Sequence, residues 1–161
     1  MADATEKKVE ELLLQGLNRR QIFIQLQNST PARKLIFFIN NSALPGDRKK
    51  FQLLNLLLVL LFTFITAKKL LAIFSFGMMG ITLILSLVVP VVNIYVLREI
   101  LRFRRIGYQF LFVLSLLSLL QPENHFLIET ILFVVIGAIS AFLYLKMFPQ
   151  MALVPPETNA P

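Results

Sequence analysis

Four long apolar stretches occupy most of the chain after residue 50, and each is bounded by charged or turn-forming residues. They cover residues 51–67, 70–97, 108–120 and 126–148. A helix needs about 20 mostly apolar residues to cross the hydrocarbon core of a bilayer, at a rise of about 1.5 Å per residue. The pattern therefore predicts four transmembrane helices, the third being the shortest.

Shorter amphipathic segments, bounded by capping residues, fill residues 1–47. Asp3 opens a first helix, and Gly16 supplies the left-handed conformation that commonly ends one. Asn18 and Gln21 have capping-box spacing for a second helix, and a third follows. This region is expected to form a small cytoplasmic three-helix module, so the predicted fold is all-α.

The two ends of the chain lack long apolar stretches. The acidic, polar start has no apolar core of a cleavable signal peptide, so none is expected. Residues 150–161 contain proline and few large apolar residues, and they are expected to be disordered. The predicted organisation is a module at 1–47, a transmembrane domain at 48–149 and a tail at 150–161.

Charge sets the expected orientation of the spans. The chain has 16 Lys and Arg residues and a net charge of +7. With a cytoplasmic N-terminus and four crossings, only Lys68 and Lys69 would lie on the far side of the membrane. Positive charge concentrates in cytoplasmic loops, so both termini are predicted to be cytoplasmic. The charge bias and the absent signal peptide favour a bacterial inner membrane.

Two basic groups are candidates for a surface that binds a cytoplasmic partner or the anionic inner leaflet. Juxtamembrane cations are attracted to anionic lipid, which makes the lipid surface an expected partner. The first group lies on the second predicted helix and the second group in the loop between the second and third spans: Arg19, Arg20, Arg98, Arg102, Arg104 and Arg105.

Small residues in the spans indicate helix packing. Gly77 and Gly80 on the second span are expected to form a packing notch, and a hinge is the alternative. Gly137 and Ala141 on the fourth span have the small-xxx-small spacing that lets membrane helices approach closely. The spacing does not distinguish contacts within one chain from contacts between chains.

Polar residues inside apolar spans are costly and often functional. Asn93, Ser115 and Ser118 are candidates to line a pore between several copies of the chain. Asn93 also lies one turn after Pro90, so the alternatives are a bond to a carbonyl freed by a kink or a contact between protomers.

His125 and Glu129 are four residues apart on one face of the fourth predicted helix. One hypothesis is a pH-sensing or cation-binding pair at the far mouth of the protein. The alternative is a pair that caps the helix start, where the helix dipole favours a carboxylate. Two ligands without a third do not make a metal site.

Residues 16–29 resemble the first helix and turn of a helix-turn-helix unit, with residues 30–39 in the place of the recognition helix. That resemblance would imply DNA binding. The sequence departs from the usual pattern at Phe23, where a small residue is common, and at Gln27, where glycine is common. The alternative is a helical hairpin whose apolar side packs on the bilayer, on the spans or on a partner.

Nothing in the sequence points to catalysis or to a cofactor. The chain has no cysteine and one histidine, and it has no glycine-rich phosphate loop. We therefore expect a non-enzymatic membrane-anchored adaptor or accessory subunit, with a protein partner or further copies of itself. A small homo-oligomeric channel is the alternative. A membrane-tethered DNA-binding protein comes third, so nucleic acid is not an expected partner.

Overall fold

The computed structural model describes residues 3–75, 80–120, 127–149 and 154. Over these residues the chain forms helices and no strand, which confirms the predicted all-α class. The helices are α1 (Ala4–Leu14), α2 (Arg19–Leu26), α3 (Ala32–Asn41), α4 (Pro45–Ser75), α5 (Ile81–Leu101), α6 (Arg105–Leu119) and α7 (Leu127–Met147).

The described residues fall into two compact units, one within Met1–Lys50 and Leu145–Pro161 and the other within Phe51–Tyr144. We call the first the module and the second the apolar bundle. Helices α1, α2 and α3 of the module enclose a hydrophobic core of their own, formed by Val9, Leu13, Ile22, Phe23, Leu35 and Ile39.

Local sequence signals explain where the helices of the module begin and end. The predicted capping box is present, since the Gln21 amide donates to Asn18 Oδ1 and the Asn18 amide donates to Gln21 Oε1, each at 2.9 Å. Gly16, just beyond α1, has a φ of 89°, the left-handed conformation predicted for it. Leu13 and Ile22 on either side of this turn are fully buried, so the turn brings α1 and α2 onto a shared core.

Three helices, α4, α5 and α7, are long and apolar enough to cross a membrane. Their most apolar windows have mean hydropathies of 2.2, 2.1 and 2.2. Helix α6 has only 15 residues and therefore falls below the length of a candidate span. The structure thus supports three spans by length and composition where the sequence pattern predicted four.

The predicted boundary between the first two spans, at Lys68 and Lys69, was wrong. Helix α4 continues through both lysines to Ser75. Lysine is a good helix former, and its long stem lets the charge reach a polar region without a break in the helix. The next helix begins only after Gly80, whose φ of 70° is a left-handed conformation.

Residues 45–47, a Pro-Gly-Asp sequence that usually indicates a turn, form the first turn of α4. Proline is favoured at the first position of a helix, where its missing N–H costs no hydrogen bond. Asp47 follows in the same turn, where the helix dipole stabilises a carboxylate. The helix that carries the first apolar stretch therefore starts six residues before that stretch does.

A tight reversal joins α5 to α6. Phe103 adopts a φ of 52° between the two helices, and the amide of Arg104 donates to the carbonyl of Glu99 at 3.0 Å. A Cβ atom at Gly107 would lie 2.8 Å from the backbone nitrogen of Ile100. Glycine is therefore required there, because only a residue without a side chain allows α6 to approach the end of α5 so closely.

Candidate functional site: buried polar contacts and a cavity in the apolar bundle

Asn55 is the centre of a hydrogen-bonded chain inside the apolar bundle. Its side chain is buried on α4, and its Nδ2 donates to the carbonyl of Ile100 on α5 at 3.3 Å. Its Oδ1 accepts from the Tyr108 hydroxyl on α6 at 2.7 Å. One amide therefore uses a donor and an acceptor to connect three helices.

The fourth helix joins the same chain. Ser140 on α7 is fully buried, and its hydroxyl donates to the carbonyl of Tyr108 at 2.8 Å. Buried polar atoms need partners, and in an apolar surrounding these bonds hold helices together. We call Asn55, Tyr108, Ser140 and the Ile100 carbonyl the polar chain. It links α4, α5, α6 and α7.

Asn93 makes a second buried contact between α4 and α5. Its Nδ2 donates to Thr66 Oγ1 at 3.2 Å, and the Thr66 hydroxyl donates to the carbonyl of Phe62 at 2.8 Å. The alternative of a bond to a carbonyl near Pro90 was therefore wrong. The partner of Asn93 is a side chain on α4 of the same chain.

A cavity of about 220 Å³ lies among α4, α5, α6 and α7. The three residues predicted to line a pore, Asn93, Ser115 and Ser118, all line this cavity. Among the described lining residues Lys69 is the one that carries a charge, and those other than Asn93, Ser115, Ser118 and Lys69 are apolar. The three predicted residues therefore line one cavity within a single chain, and no second copy is needed to bring them together.

Gly137 contributes to the packing of α7 against α6. A Cβ atom added there would lie 3.2 Å from Ser115 Cβ, closer than ordinary van der Waals contact. The Ser115 hydroxyl donates to the carbonyl of Leu111 on its own helix at 2.7 Å. Gly137 therefore serves a contact within the chain. Ala141, one turn later, is half-buried on the same helix.

The other predicted glycine notch is not supported. Gly80 has nothing within 4 Å of an added Cβ atom and lies at the start of α5, outside the helix. Its conformation makes it a break between helices, so the packing role assigned to it was wrong. Gly77 lies outside the described residues.

Only one member of the predicted His125–Glu129 pair can be placed, since His125 lies outside the described residues. Glu129, in the first turn of α7, accepts a hydrogen bond from Lys68 on α4 and forms an ion pair with it. The contact joins the first and last helices of the apolar bundle. The sequence pattern places Lys68 between two spans on the far side of the membrane and does not indicate this partner.

The basic residues between α5 and α6 take part in internal contacts. Arg104 forms an ion pair with the buried Glu99 at 2.8 Å, and burial lowers the pKa of Arg104 from its ordinary value. Arg105 Nη2 donates to the Tyr144 hydroxyl at 2.8 Å, with its guanidinium 5.4 Å from the centre of that ring. Arg98 is exposed and Arg102 is half-buried.

Arg19 is not part of a binding surface, so that prediction was wrong. It is only 4% exposed, its Nη2 donates to the carbonyl of Ser42 at 3.0 Å, and its guanidinium lies 6.0 Å from the centre of the Phe148 ring. Because its side chain is buried against the Ser42 carbonyl and the Phe148 ring, Arg19 is a structural residue of the module. Its neighbour Arg20 is exposed.

Two helices of the module each present an exposed arginine and an exposed apolar residue on one face. Arg20 and Ile24 are exposed on α2, and Arg33 and Phe37 are exposed on α3. Each pair has a spacing of four residues, which places both members on one helix face. Large exposed apolar side chains beside arginine are typical of binding surfaces, and the sequence analysis had missed Arg33.

The module also holds a residue from the far end of the chain. Asn40 Nδ2 donates to the carbonyl of Val154 at 2.7 Å, and the Val154 amide donates to Asn40 Oδ1 at 2.9 Å. Val154 also packs against the hydrophobic core of the module. The disorder predicted for residues 150–161 therefore does not extend to Val154. Its immediate neighbours lie outside the described residues.

No cluster of three or more His, Cys, Asp or Glu side chains that could hold a metal ion occurs within the described part of the chain. The chain matches no protein-family model, no curated protein and no solved structure.

Proposed function

We propose that this protein is a non-enzymatic membrane-anchored adaptor or accessory subunit. Its apolar bundle is the anchor, and its module binds an acidic cytoplasmic protein. The observation that carries the proposal is the pairing of Arg20 with Ile24 and of Arg33 with Phe37 on exposed helix faces of a module with a closed core. Arginine and aromatic side chains contribute strongly to protein interfaces.

In the proposed topology the chain crosses a bacterial inner membrane four times, and α6 is the short crossing. Both termini then lie in the cytoplasm. The charge distribution supports this topology, since Lys68 and Lys69 are the only basic residues on the opposite side. Helix α6 is about 22 Å long at the standard helical rise, and a bilayer adapts to a short span by local thinning. The basic residues Arg98 and Arg102 then face anionic headgroups.

Cysteine labelling tests this topology, because the natural chain has no cysteine. Single cysteines at the exposed positions Lys49 and Lys68 would be treated with a membrane-impermeant maleimide in sealed, right-side-out vesicles. We expect labelling at position 68 and none at position 49 until the vesicles are opened. Equal labelling of both positions in sealed vesicles would contradict the topology.

The hydrogen bonds in the apolar bundle support an anchor over a homo-oligomeric channel. Asn55 and Asn93 are buried and bonded to other helices of the same chain, and Ser115 bonds to its own helix. These polar groups are used to assemble one bundle. A pore between copies would need polar residues on the outside of the bundle.

Site-specific photo-crosslinking tests the adaptor function in cells. A photoreactive residue at Phe37 is expected to give one saturable crosslinked product, and Arg33→Glu is expected to abolish it while Arg33→Lys retains most of it. The same photoreactive residue at Leu14, exposed on α1, is the control position. Equal products from positions 14 and 37, or no effect of Arg33→Glu, would refute the proposed interface.

DNA binding has less support. In the helix that would read DNA, Leu35 and Ile39 are buried in the core and Phe37 is among the exposed residues. Apart from the exposed Arg33 and Lys34, this helix offers few hydrogen-bonding groups to base edges. A salt-dependent mobility shift with the full chain in nanodiscs would restore this alternative.

A further inference from the structure

Two recesses in the apolar bundle share one charged wall residue. The cavity of about 220 Å³ and a second recess of about 150 Å³ are both lined by Ile65, Lys69 and Phe133. The smaller recess also contacts Lys68 and Glu129. A cavity of about 150 Å³ is large enough to hold a benzene molecule. Each recess is therefore large enough to hold part of an acyl chain beside its polar residues.

The helix packing accounts for the opening of the larger cavity. No residue of α5 before Pro90 is buried, and Val89 lines the cavity at the point where burial of α5 begins. The first half of α5 thus packs loosely against the rest of the bundle, which leaves space beside α4 and α6. In a membrane this space would be accessible to acyl chains.

Charge determines which ligand suits the two recesses. Lys68 is paired with Glu129, whereas no described residue forms an ion pair with Lys69. Among the described residues, the positive charge of Lys69 is therefore uncompensated, and it lies between two mostly apolar recesses, the smaller of which also contains the paired Lys68 and Glu129. An anionic group bound there would gain a charge-assisted hydrogen bond.

A second polar group lies close to Lys69 in the larger cavity. Asn93 is 5% exposed and donates to Thr66, and within the described residues no donor reaches its Oδ1. Thr66 and Lys69 are three residues apart on α4, which is one helical turn. The cavity therefore offers the second hydrogen of the Asn93 amide as a donor about one turn deeper than the cation.

We infer that the two recesses form a binding site for one anionic two-chain phospholipid. Its headgroup lies at Lys69, and one acyl chain enters each recess. The second hydrogen of the Asn93 Nδ2 group donates to an ester carbonyl of the lipid, which lies deeper than the phosphate. This inference does not depend on the adaptor function, because none of its residues belongs to the module.

Native mass spectrometry of the full chain in detergent tests the site with defined lipids. The probe is dioleoylphosphatidylglycerol. Dioleoylphosphatidylcholine has the same chains without net charge, and the one-chain lysophosphatidylglycerol has the same headgroup. We expect one molecule of dioleoylphosphatidylglycerol to bind, about tenfold more tightly than either comparison lipid, as expected for a charge-assisted bond. Equal binding of the three lipids would overturn the site, and equal binding of the two anionic lipids would overturn the two-chain assignment.

Substitution of the cation provides the second arm. Lys69→Gln is expected to remove the preference for dioleoylphosphatidylglycerol over dioleoylphosphatidylcholine. Lys49→Gln is the control, because it removes the same charge from an exposed position in the module. If both variants retained the preference, or if both lost it equally, Lys69 would not be the headgroup site.

Filling the larger cavity provides the third arm. Leu114 lines the cavity, whereas Leu116, two residues away on α6, is 49% exposed and does not line it. Leu114→Trp is expected to weaken binding of dioleoylphosphatidylglycerol about tenfold, and Leu116→Trp is expected to leave it unchanged. Ser118→Phe fills the same space if Leu114→Trp does not fold. Unchanged binding in a folded cavity-filling variant would overturn the site.

Discussion

Tyr108 donates a buried hydrogen bond of 2.7 Å to Asn55, and this bond joins α6 to α4. Tyr108 also offers its main-chain carbonyl to Ser140, while Asn55 donates to the carbonyl of Ile100. Apolar contacts alone give little preference for one arrangement of helices in lipid, since lipid chains are equally apolar. The two residues therefore fix which faces of the four helices meet.

Tyr108→Phe should lower the free energy of unfolding of the apolar bundle by about 1 kcal/mol, as measured for hydrogen bonds between membrane helices. The substitution removes the hydroxyl and leaves Asn55 Oδ1 without this donor. Denaturation in mixed micelles, followed by circular dichroism, measures the change. Tyr95→Phe is the control, because Tyr95 is exposed. Equal effects of the two substitutions would refute the role of the bond.

Gly107→Ala should destabilise the α5–α6 reversal by about 1–3 kcal/mol, the usual cost of overpacking. The new methyl group would meet the backbone of Ile100 and Glu99 at 2.8–3.0 Å. The same denaturation experiment applies. Gly46→Ala is the matched control, because nothing lies within 4 Å of its added Cβ atom and alanine favours a helix. If Gly107→Ala left the free energy of unfolding unchanged, the close approach of α6 to α5 would not require glycine at this position.

The Asp3 carboxylate in the module should titrate below its ordinary range. A hydrogen bond from Lys34 and one from the Thr5 amide lower the pKa of Asp3 from its ordinary value. Because the folded pKa is depressed, this contact stabilises the module above the ordinary pKa, and the contribution is lost as pH falls through the lowered value. Carbon-detected NMR titration of Asp3 measures it. Lys34→Ala should raise the pKa, and an unchanged value would contradict the contact.

Hydrogen exchange at Val154 should depend on Asn40. In the natural chain the Val154 amide donates to Asn40 Oδ1, so its exchange should be slow. Asn40→Leu should make it fast, since both bonds are lost, and Asn40→Asp should give an intermediate rate because it keeps an acceptor. Amides of α1 provide the internal reference. An Asn40→Leu variant that kept slow exchange at Val154 would contradict this contact.

Several features could be predicted from sequence because they depend on neighbours along the chain. The capping box at Asn18 and Gln21, the left-handed Gly16 and the all-helical class follow from local preferences and from hydrophobic pattern. The boundary at Lys68 was wrong because a charge in an apolar run does not stop a helix. The Lys68 side chain instead donates a hydrogen bond to Glu129, which is 61 residues away in the sequence.

The polar residues in the apolar stretches were visible in the sequence, but their partners were not. Asn55 and Tyr108 are 53 residues apart, and Asn93 and Thr66 are 27 residues apart. Periodicity indicates that such a residue faces other helices, yet it does not say which atom will lie opposite. The burial of Arg19 could not be predicted for the same reason, because the Ser42 carbonyl to which it donates is 23 residues away in the sequence.

The sequence by itself determined the helical class, the apolar segments and the concentration of positive charge, because each depends on composition and on order along the chain. Only the tertiary structure decided that α4 runs through Lys68 and Lys69, which polar groups are bonded, and that Lys69 lies between two mostly apolar recesses. These features depend on distances between residues remote in sequence. Such distances are set by helix packing, in which small residues such as Gly107 allow close approach.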